Sequence, residues 1–466
     1  MAGALILTSM FLIYANIHLL SLPPMLRPIW FEWSPEIIEV GDKVVFQTTL
    51  ENTAPWEVSG EAKLYIQDMD ELGEYREPVH ISSKPYRVGP GGKTVIGIEV
   101  VLNTSGFHKL IIDFGGRTRV KQLIHVYDPN KAIESYTFAF FADNRPGGPL
   151  TPQPEQFKKL IKILNVLRPD FAILGGDIVY GYRSQGPVLA WQWIDFLSVI
   201  GRSRVPIFIA PGNHEVKTGE APSTGDPTAQ IILLMNIGRL YHAFAYGDSA
   251  FILLDTDIVG EANNIMGRQK EWLENILRDT QGFRYRFTFM HKPAYSGPHF
   301  RTITNDKEIT KLFREYNVTV AFQAHNHIFY KRYLEPTWFY VSGGAGSPLY
   351  VSPDEGAIYH MLLVRVDREG VEIKVIPTEM FEADDEINRM SIRHGFTQEI
   401  RFRRGGEEWT AYPKPVEVKG FIAARDKRIV GEGYTLLWNE TIYIDGAEYL
   451  RYEFILEPGG YVEVSV

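Results

Sequence analysis

Five short apolar runs in this chain each lead into residues that bind metals or move protons. Residues 136–141 are followed by Asp143-Asn144-Arg145, and residues 171–174 by Gly175-Gly176-Asp177-Ile178-Val179-Tyr180. Residues 205–210 are followed by Pro211-Gly212-Asn213-His214-Glu215, residues 286–290 by His291, and residues 318–322 by Gln323-Ala324-His325-Asn326-His327. Each run has the length and content of a buried strand. Where strands alternate with helices, ligands gather at the carboxyl ends of the strands. Carboxylates, an amide and imidazoles suit Zn, Mn or Fe, not a calcium cage or a thiolate site. Asp177, with two oxygens, could bridge two ions, and two ions roughly 3.5–4 Å apart clamp a phosphoryl group and generate hydroxide near neutral pH. One Asp or His after a strand is an ordinary turn former. Five strand ends in agreement, with glycine directly before Asp177 and Asn213, point to a dinuclear site.

These runs belong to residues 131–380, where strands alternate with helices. Residues 155–167 place Phe157, Leu160, Ile161 and Leu164 on one helical face, and further helices are expected at 187–200, 229–240, 269–277 and 307–316. The pattern is that of a layered α/β domain. Residues 27–130 carry strand signals at 44–50, 62–66, 95–102, 109–113 and 121–126, spaced by Gly/Pro turns, and read as an N-terminal β-sandwich domain. Residues 381–393 are acidic and read as a linker; with the short strands that follow, 381–466 make a linker and a small C-terminal β module. Residues 1–26 contain no Asp, Glu, Lys or Arg and are the most apolar stretch, long enough to cross a bilayer. They read as a signal or anchor segment, which implies an extracytoplasmic protein, secreted or attached to a membrane.

Composition narrows the chemistry further. The net charge is −9, from 48 basic and 57 acidic residues, and no long basic run occurs, which argues against a nucleic-acid partner. Cysteine is absent, so disulfides, thiolate metal sites and a Cys nucleophile are all excluded. His80, His108, His125, His242, His360 and His394 read as structural, and Asp255 and Asp257 as structural or supporting.

Gly176-Asp177, Gly212-Asn213-His214-Glu215, His291 and His325-Asn326-His327 together resemble the calcineurin-like metallophosphoesterase superfamily. Gly343-Gly344-Ala345-Gly346-Ser347-Pro348-Leu349-Tyr350 and Trp272-Leu273 look like the family too. The fold this implies is a four-layer β-sandwich flanked by helices. Many members have Asp-x-His in the first motif, where this chain has Asp143-Asn144-Arg145, and Ala324 stands where Gly is usual. Gly176-Asp177-Ile178-Val179-Tyr180 is similar to the Gly-Asp-x-x-Tyr of purple acid phosphatases, which lack the first-motif His and use the Tyr as an iron ligand. The resemblance implies one metal held by Asp143, Asp177, His327 and optionally Tyr180, and a second held by Asp177, Asn213, His291 and His325. It leaves the metals as Fe, Mn or Zn. His214 would serve the leaving oxygen while a metal-bound hydroxide attacks phosphorus in line. Arg145 and His299 are candidate substrate contacts. The expected activity is hydrolysis of phosphate mono- or diesters on a small-molecule or polymer substrate. The alternatives are a nucleotide or pyrophosphate-bond hydrolase of the same superfamily, or an envelope-associated binding protein with a degenerate site.

Overall fold

The computed structural model describes residues 25–116, 118–218, 227–297, 300–386, 389–423 and 428–465. Its centre is a pair of mixed sheets packed face to face. One orders Ile207–Ile209, Phe171–Leu174, Ser135–Phe141, His360–Asp367 and Val371–Pro377, the first three parallel and the last two antiparallel. The other orders His242–Tyr246, Ser249–Leu253, Tyr285–Phe289, Val320–Gln323, Thr337–Ser342 and Phe329–Leu334, with the middle four parallel.

The sequence explains why both faces of these sheets are covered. Phe171–Leu174 and Ser249–Leu253 are buried at every position, the continuous apolar pattern of strands with packing on both sides. Between the sheets lies an aromatic cluster centred on Phe138, whose ring sits 5.5 Å from Phe171, 5.3 Å from Phe251, 5.3 Å from Phe287 and 5.7 Å from Phe322. Helices cover the outer faces. Glu155–Leu167 buries Phe157, Leu160 and Leu164, with Phe157 against Phe141. Gly267–Asp279 and Asp306–Glu315 bury Leu273, Ile276, Ile309 and Phe313 in a cluster with Ile252 and Phe339. Among the described residues there are six helices, and none is long and apolar enough to cross a membrane.

Ahead of this core, a three-stranded sheet (Leu26–Ser34, Lys43–Asn52, Lys93–Val101) and a five-stranded sheet (Ile38–Glu39, Arg119–Tyr127, Gly106–Asp113, Val58–Asp68, Val79–Val88) bury alternate residues such as Val44, Phe46, Thr48 and Leu50. They are fastened to the core. Glu36 accepts hydrogen bonds from the Ala243 N–H (2.9 Å) and the Trp272 indole (3.0 Å), and it pairs with Arg239 at 2.9 Å. His125 Nδ1 donates to the Ala245 carbonyl at 2.7 Å, and Phe107 lies 5.4 Å from Phe171. Of the apolar leader segment, residues 1–24 lie outside the described residues, whereas Leu26 is buried in the first strand and belongs to it.

The expected linker at 381–393 is not one. Phe381–Glu386 and Arg389–His394 are antiparallel strands in a sheet completed by Ala447–Ser465, Val416–Ala423 and Arg428–Ile444. The acidic residues that suggested a linker have partners on helix Glu155–Leu167: Lys162 approaches Asp384 at 3.3 Å, and Asn165 donates to Asp385 at 2.7 Å. The alternation that marks a strand is plain only in Arg389–His394, where Met390, Ile392 and His394 are buried.

Because Phe138 fills the space between the two sheets, Phe138→Ala should remove about 3–5 kcal/mol of stability. Chemical denaturation should show a lower midpoint with native-like secondary structure before the transition; an unchanged midpoint would remove this ring from the centre of the core.

Candidate metal centre

The expected ligands converge at one pole of the paired sheets. Asp177, His291 and His325 form one group, and Asp143, Asp177 and His327 another, with the ligand atoms of each group within 4.8 Å of one another. Asp177 belongs to both. His291 Nε2 lies 3.2 Å from Asp177 Oδ1 and 3.2 Å from Asn213 Oδ1, which adds Asn213 to the first group. His325 Nδ1 is 3.2 Å from His291 Nε2, and His327 Nε2 is 3.2 Å from Asp143 Oδ1.

The side chains behind these ligands show that the donor set fits cations. His291 Nδ1 donates to the Gly175 carbonyl at 2.8 Å, and His327 Nδ1 to the Pro348 carbonyl at 2.6 Å. Each ring, when neutral, therefore turns Nε2 inward as an acceptor, the arrangement that orients a ligating imidazole. Asp143 Oδ1 is buried with no hydrogen-bond partner although His327 Nε2 is near it. Two acceptors facing each other in a buried site repel unless a cation lies between them. Burial alone would lower His291, but Asp177 and Asp143 raise it to about 10. Burial pushes Asp177 up, and the neighbouring His291, His214 and Arg145 outweigh it and hold the carboxyl well below the usual range. The two carboxylates thus hold positive charge at this point, as protons or as metal ions.

The backbone is bent to bring these groups inward. Asp143, Asp177, His325 and His327 all have left-handed backbones, with φ of 62°, 54°, 70° and 49°. For residues with a Cβ this costs about 1 kcal/mol or more apiece. Ties between loops hold them: Asp143 N–H donates to Gly176 O (3.0 Å), His325 N–H to Asp143 Oδ2 (2.8 Å) and Ala324 N–H to His291 O (2.9 Å). Gly212 must be glycine, because a Cβ there would sit 2.3 Å from the Asp177 nitrogen.

Glu215 is the residue whose role the sequence did not disclose. Its buried carboxylate accepts from four backbone N–H groups: Asp177 (3.0 Å), Ile178 (2.7 Å), Val179 (3.1 Å) and Gly212 (2.8 Å). It clamps the loop that carries Asp177 to the loop that carries Asn213. Its reach to residues 177–179, 36 to 38 positions earlier, leaves no local signal in the sequence. Lys292 and Asp257 form a buried pair at 2.5 Å beside His291, so the structure places Asp257 in a supporting position.

His214 stands apart from both ligand groups. Its Nδ1 donates to the Tyr180 carbonyl, and its Nε2 lies 3.8 Å from Asp177 Oδ2. Its side chain is 15% exposed, against 0% for His291 and 2% for His327, so it faces the mouth of the site. Arg145 is buried beside the Asp143 group. It donates through Nη2 to the Tyr350 hydroxyl at 2.8 Å and through Nη1 to the Pro146 carbonyl at 3.2 Å, and its Nε lies 3.6 Å from Asp177 Oδ2. Tyr350 stacks on His327 with ring centroids 4.7 Å apart. The Tyr180 ring is 6.1 Å from that of His214. His299 lies outside the described residues.

Residues 124–329 match the family model for calcineurin-like phosphoesterases. No curated protein matches the chain. Two solved structures overlap it at low identity. One is titled as GAP50, the anchor in the inner membrane complex of Plasmodium: 14% identical, covering 53% of this chain and 86% of that one, TM-score 0.39. The other is a dimetal phosphatase from Danio rerio: 13% identical, covering 60% of this chain and 99% of that one, TM-score 0.40.

With four amides resting on one carboxylate, Glu215→Ala should loosen both loops at once. Elemental analysis of the purified variant should show less bound metal than wild type, and its thermal midpoint should fall; full metal content would leave Glu215 without this holding role.

Proposed function

Given a calcineurin-like phosphoesterase domain over residues 124–329, we propose that this chain hydrolyses phosphate mono- or diesters at a dinuclear metal centre. The observation that carries the reading is the pair of ligand groups that share Asp177. One ion would be held by Asp143, Asp177 and His327, with Tyr180 as an optional further ligand in the manner of purple acid phosphatases. The other would be held by Asp177, Asn213, His291 and His325. When bound, two such ions polarise the phosphoryl oxygens and activate water at neutral pH.

The chain's own groups do the rest. His214 has Nδ1–H committed to the Tyr180 carbonyl, so it is the doubly protonated ring, through Nε2–H, that would pass a proton to the leaving oxygen and be left neutral. Arg145 spends one Nη1 hydrogen on the Pro146 carbonyl and one Nη2 hydrogen on Tyr350, and its buried Nε faces Asp177 Oδ2 at 3.6 Å. The remaining Nη hydrogens are suited to a phosphoryl oxygen. The loops at 181–185, 216–228 and 297–306, the last including His299, would choose the substrate. Export or anchoring through residues 1–26 would put the site outside the cytoplasm.

A nucleotide or pyrophosphate-bond hydrolase is the second reading. It is favoured by two exposed rings at the site, Tyr350, stacked on His327, and Tyr182, 6.5 Å from His214, either of which offers a face to a base. A degenerate binding protein is disfavoured because both ligand groups are intact.

Ligand and proton donor sit side by side and separate cleanly. Asn213→Ala should lose metal, whereas His214→Ala should keep it and turn over slowly, most of all with poor leaving groups. Elemental analysis beside aryl mono- and diester assays tests this; metal loss in both variants, or in neither, would collapse the distinction. Arg145→Ala should raise KM by roughly tenfold or more with little loss of metal, as expected when a charged hydrogen bond of about 1.5–3 kcal/mol is removed. Unchanged kinetics would take Arg145 out of the substrate site.

A further inference from the structure

Away from the metal centre, a cavity of about 280 Å³ lies between the N-terminal sheet and the edge strand Ile207–Ile209. Its lining is mostly aliphatic, including Leu123, Leu197, Ile200 and Ile237, and two lysines, Lys109 and Lys121, face it. Among the described residues no Asp or Glu lines it. The lysines are diagonal neighbours on one face of paired strands, since Lys109 opposes Leu123 and Ile111 opposes Lys121. Like charges so placed repel. Among the described residues neither ammonium has a hydrogen bond or an ion pair. Lys109 only rests over the Tyr75 ring, with Nζ 4.2 Å from its centroid. Burial lowers both lysines, Lys121 lowers Lys109 further, and no carboxylate raises either. Fully buried cations here are compensated: Lys292 has Asp257, Arg239 has Glu36, and Arg286 donates to five backbone carbonyls.

We propose that this cavity binds a small anion with an apolar body, an aliphatic carboxylate or phosphate ester. Its charged head would lie between Lys109 and Lys121, and its chain along the aliphatic wall. Two half-buried ammoniums without counter-charge gain most from an anion that excludes water. At about 30 Å³ for each water-sized group, the space suits a head with a chain of roughly six to eight carbons. The site is built from residues 109–123, 197–209 and 236–237, at the side of the sheet rather than at the strand ends that carry the metal ligands. It is therefore distinct from the catalytic reading and stands without it.

Titration calorimetry of the full chain with octanoate and with octyl phosphate separates the two head groups. One or both should bind, one per chain, while octanol and inorganic phosphate bind at least tenfold more weakly. Lys109→Met with Lys121→Met should weaken binding at least tenfold. The single change Lys121→Gln should weaken it measurably, should the double variant not fold. The bound anion should also raise the thermal midpoint of wild type and not of the double variant. No saturable binding of either octyl anion, equal binding of octanol, or unchanged binding in folded variants would overturn the assignment.

Discussion

The metal centre depends on one carboxylate that touches no candidate ion. Glu215 gathers N–H groups from residues 177–179 and from Gly212, and so fixes the distance between the loops that deliver Asp177 and Asn213. Buried amide N–H groups need acceptors, and a charged acceptor binds them more strongly than a neutral one. The same loops approach so closely that a Cβ at Gly212 has no room. Around this tie the left-handed ligands are held in backbones that would relax if the loops were free. Strain in the ligand loops and the clamp that withstands it are parts of one arrangement.

Electrostatics follow from that geometry. Two carboxylates, three imidazoles and an amide converge at one pole of the paired sheets, and the outward imidazole nitrogens of His291 and His327 are already committed to carbonyls. In the neutral rings the inward atoms are acceptors. Arg145 adds a fixed positive charge at the side of Asp177. Its guanidinium is braced by Tyr350, which also covers His327, so the guanidinium and the imidazole share a support.

Much of this was legible in the sequence because the signals are local. A strand such as Phe171–Leu174 announces itself by a run of apolar residues, and the ligand follows within three positions. Asp143, Asp177, Asn213, His291 and His325 were each readable in that way, with His327 two positions beyond His325, and the structure brings them together. What was hidden depends on contacts far apart in the chain. The strands at 381–394 looked like a linker because their acidic side chains are balanced by Lys162 and Asn165, more than two hundred residues away. Glu215 was not legible as a clamp, since its partners lie 36 to 38 residues earlier. The strand His242–Tyr246 was not anticipated, and the helix before it ends at Asn236 rather than at the expected residue 240.

The docking of the N-terminal sheets has a consequence in time. Phe107 and His125 belong to strands that can pair as soon as residues 106–127 leave the ribosome, yet their contacts are made later. The Ala245 carbonyl that accepts from His125 is 120 residues downstream. At about 5–20 residues per second, that acceptor arrives some 6–24 seconds after the donor. During that interval the nascent strands display the apolar face that will join Phe171 and Phe208. The first unit to fold is thus exposed to premature association until the middle of the chain is made, and its docking face is finished by residues it must wait for.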